Sequence, residues 1–197
     1  MAQDRSATRE RILDTTAELF RRYGYTGTGL KQIVANANAP FGSVYHHFPG
    51  GKVQLGEEVI RRSGQMYLEI VLAVLDAAPD LLTGIADAFM GAAEVLRATD
   101  YIDACPVATV ALEVASSNDT LRQATADVFD TWIDAVTARL SAAGIASDDA
   151  RRLAMVLIEL IEGGFLLCRA ARTTQALEAA GSAAVAVVRA ALESSID

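Results

Sequence analysis

An all-α fold follows from three features of the 197-residue chain. Apolar residues recur at intervals of three and four rather than two, and Ala, Leu, Glu and Arg, all good helix formers, dominate. Gly, Pro, Asn and Ser punctuate these amphipathic stretches as helix termini would. Charge is split as well: residues 1–52 carry seven basic against four acidic side chains, a balance of +3, while the remainder carries −11, for a net charge of −8. The expected architecture is an N-terminal three-helix unit over residues 1–52, joined by a long helix to a C-terminal helical bundle within residues 53–197.

From about Ser6 to Tyr23, Ile12, Leu13, Thr16, Ala17, Phe20 and Tyr23 line one face, with Arg9, Glu10, Asp14, Glu18 and Arg22 turned outward. Gly24 ends that helix. Past the loop 25–29, a short helix Leu30–Ala37 turns Leu30, Ile33, Val34 and Ala37 inward, with Thr28 or Gly29 as its cap. Pro40 suits the first turn of another short helix over Phe41–His47, which presents Val44 and Phe48 to the same core. Pro49-Gly50-Gly51 is a break, and a long helix follows from about Lys52 to Ala77, with Leu55, Val59, Met66, Ile70 and Leu75 among its apolar positions. Further helices are expected at about 80–98, 107–116, 119–143, 148–171 and 174–194, with Asn118 and Ser147 as N-caps. No long repeat is present, so the bundle is irregular rather than a solenoid.

At 52% hydrophobic and 21% charged, the composition is that of a folded chain and not of a disordered or collagen-like one. The longest uncharged stretch toward the C-terminus, Ala179–Val188, is ten residues, about half of a membrane-spanning helix. The charged segment Met1–Glu10 lacks the apolar run of a secretory signal. No membrane partner and a cytoplasmic location are therefore expected. Cys105 and Cys168 lie far apart, with no CxxC and no cluster of His, which argues against a disulfide framework and a zinc site. No metal and no cofactor are expected.

Two short helices joined through Asn38-Ala39 and buttressed by a preceding amphipathic helix have the spacing of a helix-turn-helix, whose second helix enters the DNA major groove. That second helix is rich in small residues, with Gly42 and Ser43 exposed, so its backbone can approach a duplex closely. Tyr45, His46 and His47 supply hydroxyl and imidazole groups for phosphates or base edges. Lys52 opens the following helix, where its ammonium favours a phosphate, and Thr28 can do likewise ahead of the helix before. Adjacent histidines on a helix point about 100° apart, which disfavours shared metal coordination. Taken singly, each of these side chains also has an ordinary structural reading, as a half-buried aromatic or a solvated charge.

Through Gly24-Tyr25, Thr28, Leu30, Ile33, Ala35, Ala37, Gly42-Ser43-Val44-Tyr45-His46-His47-Phe48 and Lys52, the chain resembles the TetR family of bacterial transcriptional repressors over roughly residues 9–56. The resemblance implies a dimer whose N-terminal heads read a pseudo-palindromic operator in double-stranded DNA, with a C-terminal domain for dimerisation and effector binding. Residue by residue, it assigns Thr28, Phe41, Ser43, Tyr45, His46, His47 and Lys52 to the DNA face. The chain departs from the usual pattern at His46, where a second tyrosine is more typical, and at Pro40-Phe41, where polar residues such as Ser-Lys often stand. Phe48-Pro49-Gly50-Gly51-Lys52 and Cys105-Pro106-Val107 look like the branch that contains the lincomycin-resistance and flavonoid-responsive repressors.

The C-terminal part has no histidine and no Gly-rich phosphate loop, so no enzyme is expected. Large side chains in alanine-rich helices leave room for a mostly apolar cavity, and Phe89, Cys105, Thr109, Phe129, Trp132, Met155, Glu159 and Phe165 are the candidate contacts for a small hydrophobic or aromatic effector. The same residues can simply fill a core. Gly163-Gly164, the alanines of 179–191, and Val185, Val188 and Leu192 suggest that the last two helices pair with their copies into a four-helix dimer interface, or else pack tightly within one chain. The leading functional expectation is a ligand-responsive DNA-binding regulator, most simply a repressor released by its effector. A helical ligand carrier that does not bind DNA, and an enzyme using Cys105 or the Glu159/Glu162 pair, are the alternatives.

Overall fold

The computed structural model describes residues 2–195, with side chains from Ser6 onward. Asp4 and Arg5, counted in the charge balance, therefore have side chains outside the described residues. Among the described residues there are nine α-helices and no strand: α1 Ala2–Tyr23, α2 Leu30–Asn36, α3 Gly42–His47, α4 Gly51–Ala77, α5 Leu81–Ala98, α6 Pro106–Val114, α7 Asp119–Ala142, α8 Ser147–Ala171 and α9 Gln175–Ser194.

The chain divides into two compact units. One holds the chain up to Met66 together with Cys105–Val128, and the other holds Tyr67–Ala104 together with the chain from Phe129 onward. This differs from the expected boundary after Lys52. The first part of α4 stays with the N-terminal helices, and α6, more than eighty residues downstream, packs on α1. No local pattern in the sequence announces that long-range packing.

Within the N-terminal unit, α1 packs on α2 and α3. Ile12, Leu13, Thr16, Leu19 and Phe20 form its buried stripe, and Thr16 returns its hydroxyl to the Ile12 carbonyl at 2.6 Å. Tyr23, expected on this face, is 55% exposed; Leu19 completes the stripe instead. Gly24, at φ +71°, ends the helix with its N–H donating to the Phe20 carbonyl. That left-handed conformation costs other residues about 1–2 kcal/mol. In α4 the buried residues run from Gly51 to Gly64, so Met66 and Ile70, expected to face a core, are exposed.

Three helices start on a side-chain cap. Asp80 caps α5 by accepting from Thr83 N–H at 2.9 Å, and Asn118 accepts from Leu121 N–H at 3.1 Å at the start of α7. Pro106 opens α6 behind Cys105, whose thiol accepts from Ala108 N–H. The cap of α8 is Ala146 rather than Ser147, which is already the first helical residue.

In the second unit, α5, α8 and α9 pack on one another. Leu177, Ala180, Gly181, Ala184 and Val188 form the buried side of α9. By length and hydropathy α9 alone among the described helices is long and apolar enough to cross a membrane. Its buried stripe belongs instead to the core formed with Phe89, Leu96, Leu157 and Cys168. Two glycines set the spacing here: a Cβ at Gly181 would stand 2.8 Å from Phe89 Cβ, and one at Gly164 would stand 2.6 Å from Leu177 Cδ2. Gly91, by contrast, faces open space. Gly181→Ala is expected to lower the melting temperature by about 2–8 °C, because overpacking outweighs the helix-propensity gain. Gly91→Ala is expected to raise it by up to about 4 °C. Thermal denaturation followed by circular dichroism checks both.

Candidate nucleic-acid interface

The turn between α2 and α3 is built by its backbone. Asn38 takes φ +47°, a left-handed conformation that Asn tolerates better than most residues. The chain then folds back, and Ala39 N–H donates to the Val34 carbonyl at 3.0 Å, closing α2. Pro40 leads into α3, where Ser43 N–H donates to the Pro40 carbonyl at 2.9 Å. Val44 and the C-capping Phe48 are fully buried, as the spacing predicts. Their opposite face carries Phe41, Tyr45 and His46, all exposed, beside the half-buried Ser43 and His47.

These outward groups touch one another. Phe41 and Tyr45 meet edge to face with ring centroids 6.1 Å apart, and the His46 and His47 rings are 4.9 Å apart. The Tyr45 ring also lies beside Gly51, 3.5 Å from where a Cβ would stand. The surface thus offers one hydroxyl from Ser43, one phenol, two imidazoles and one phenyl, on a helix whose flanking residues 32–51 carry no Lys, Arg, Asp or Glu. Hydrogen-bonding groups of this kind serve phosphates and base edges alike.

Two residues expected on this face are placed elsewhere. Thr28 is fully buried; its hydroxyl donates to the Gly24 carbonyl at 2.7 Å and lies near the Leu19 carbonyl, so it ties the α1–α2 loop together and has no free surface for DNA. The cap of α2 is Gly29, whose N–H donates to the Gln32 side chain. The Lys52 ammonium does not project outward either. It donates to the Tyr25 carbonyl at 2.6 Å and sits 4.1 Å from the centroid of the Tyr25 ring. Burial pushes the Lys52 ammonium below the ordinary lysine value, Glu113 pulls it up, and burial raises the Tyr25 phenol.

Glu113, on α6, is the residue that the sequence reading missed. Its carboxylate accepts from Thr26 N–H at 2.6 Å and occupies the space where a side chain at Gly24 would stand. A partner 87 positions away leaves no periodic signal, and only the compact packing of α6 on α1 brings it here.

The eight candidate effector contacts are not gathered in one compact unit. Cys105 and Thr109 belong to the N-terminal unit, where the Thr109 hydroxyl donates to the Cys105 carbonyl at 2.8 Å. Phe89 and Phe165 pack in or against the core of the second unit, and Phe129 and Trp132 form an edge-to-face pair at 5.5 Å. Met155 and Glu159 are exposed on α8, because the inner side of that helix is taken by Ala154, Leu157, Gly164 and Cys168. A surface groove of about 510 Å³, lined by Ile145, Arg152, Leu153, Val156 and Ala191 among others, contains none of the eight.

Residues 12–59 match the model of the bacterial regulatory proteins of the tetR family, and residues 82–183 match the LmrA/YxaF-like C-terminal domain of transcriptional regulators. The chain is 32% identical over 170 residues to the HTH-type transcriptional regulator LmrA of Bacillus subtilis, covering 86% of this chain and 90% of that one. It is 34% identical over 163 residues to the regulator YxaF of the same organism, covering 83% and 85%. In fold it is similar to a TetR-family regulator from Cytophaga hutchinsonii, with a TM-score of 0.79 over 95% of this chain and 96% of that one at 19% identity. A TetR regulator from Legionella pneumophila gives 0.78 over 89% and 94%, at 23% identity. With its outward-facing α3 held by two buried anchors and its family matches at both ends, this chain belongs to the TetR family of bacterial DNA-binding transcriptional regulators, in the group with an LmrA/YxaF-like C-terminal domain.

Proposed function

We propose that the protein is a homodimeric repressor that binds a pseudo-palindromic operator and is released by a small hydrophobic or aromatic effector. The observation that carries the reading is the outward face of α3, where Phe41, Tyr45 and His46 are exposed beside the half-buried Ser43 and His47 on a helix fixed by Val44 and Phe48. Two such helices about 34–36 Å apart match successive major grooves on one side of a duplex. The protein acts in the cytoplasm, where its operator lies. Selection from a random DNA pool with the purified full chain is expected to recover an inverted repeat; recovery of no sequence preference at low salt would overturn the reading.

The dimer forms through the outer faces of α8 and α9. Leu166 and Leu167 are 62% and 60% exposed, and Met155, Val156 and Val187 continue the apolar surface. Ala179, Ala183, Ala186 and Ala190 are exposed along α9 and permit close approach of a second copy. The glycines are assigned differently from the sequence expectation: Gly164 and Gly181 serve contacts within the chain, and Val185, Val188 and Leu192 face its own core. Met155 and Glu159 go to this dimer surface rather than to the effector site. The effector contacts an aromatic wall made by Phe129 and Trp132, and its binding favours a dimer arrangement whose two α3 helices no longer match the half-sites. Release requires only that the effector bind that arrangement more tightly.

Leu166→Glu is expected to give a folded monomer by light scattering, with operator affinity reduced at least about tenfold, since a buried unpaired charge and loss of the second head both oppose binding. Lys52→Ala is expected to lower the melting temperature and weaken operator binding while leaving the salt dependence of affinity unchanged. A slope reduced by about 0.9 would instead make Lys52 a phosphate contact.

A further inference from the structure

Phe41 is the one side chain on the α3 face with no hydrogen-bonding group, and it is 46% exposed. It stands at the start of α3, between Pro40 and a glycine, Gly42, that has open space around it. The ring is braced, since its edge-to-face partner Tyr45 is itself seated beside Gly51. A phenyl held in this way gains nothing from a phosphate oxygen. Against the major-groove edges of guanine, adenine or cytosine it would strip water from donors and acceptors without replacing the lost hydrogen bonds. Thymine alone presents an apolar group there, the C5 methyl. We infer that Phe41 is a specificity-determining residue that packs on the 5-methyl group of one thymine in each operator half-site.

The inference rests on the operator-binding reading and adds to it the base that one named residue selects. Burying one methyl against a phenyl is worth about fourfold in affinity per half-site, and about 15-fold when both half-sites are altered. The test uses the full-length protein and the inverted repeat recovered by pool selection, with each thymine replaced in turn by 2′-deoxyuridine, which removes only the methyl. Anisotropy titration of the wild-type protein is expected to show one symmetry-related thymine per half-site at which the replacement costs about fourfold. Phe41→Ala is expected to bind the thymine and uracil operators equally, and Phe41→Leu to keep most of the discrimination. A half-site without thymine, a repeat indifferent to every methyl, or a methyl effect that persists undiminished in Phe41→Ala overturns the inference while leaving the DNA-binding function intact. Failure to select any repeat overturns the function itself, and this inference with it.

Discussion

A helix of six residues does not hold together in water on its own, because nucleation fixes several dihedrals before more than one or two hydrogen bonds form. The outward face of α3 therefore depends on Val44 and Phe48, which are fully buried in the N-terminal unit. Around Phe48 the packing is reinforced by the Arg9 guanidinium, 5.3 Å from the ring centroid, and Arg9 pairs in turn with Glu58 on α4. The geometry of Phe41, Ser43, Tyr45, His46 and His47 is inherited from those anchors. A change that loosened them would blur every outward contact at once.

The positive balance of residues 1–52 reads at first as a phosphate-binding surface, and the structure gives many of those charges other work. Arg9 ties α1 to Glu58 of α4, Arg11 donates to the Ala37 carbonyl, and Lys52 is turned onto Tyr25, while Arg62, outside that segment, ties α4 to Glu10 and Asp14 of α1. The exposed pairs of Arg62 contribute little stability one by one. Alongside them, residues 32–51, which include α3, carry no Lys, Arg, Asp or Glu.

In the second unit the small residues of α9 divide by helical phase. Ala180, Gly181 and Ala184 lie inward, where Phe89 comes close enough that a Cβ at Gly181 would collide with it, while Ala179, Ala183, Ala186 and Ala190 lie outward. One alanine-rich helix thus supports both a close contact within the chain and a smooth external face. Composition marks the helix as suited to tight packing, and the phase decides which small residue serves which contact.

The helices, their order and nearly all of their ends were legible from periodicity and capping residues, because those signals act over four residues or fewer. The helix-turn-helix and the character of α3 belong to the same class: Asn38 in the turn, Val44 and Phe48 at core spacing, and an outward set without charge. What the chain order did not contain was the choice of partner for a side chain with several options. Thr28 and Lys52 are polar residues at a helix approach, and only the folded loop shows the first buried on Gly24 and the second bonded to Tyr25. Tyr23, Met66 and Ile70 fit an apolar stripe yet lie exposed, since a stripe says which face can be buried and not how far along it a neighbour extends. Glu113 reaches Thr26 across 87 positions, and α6 joins the N-terminal unit with it, because contacts of that range are decided by packing in three dimensions and leave no trace in local spacing.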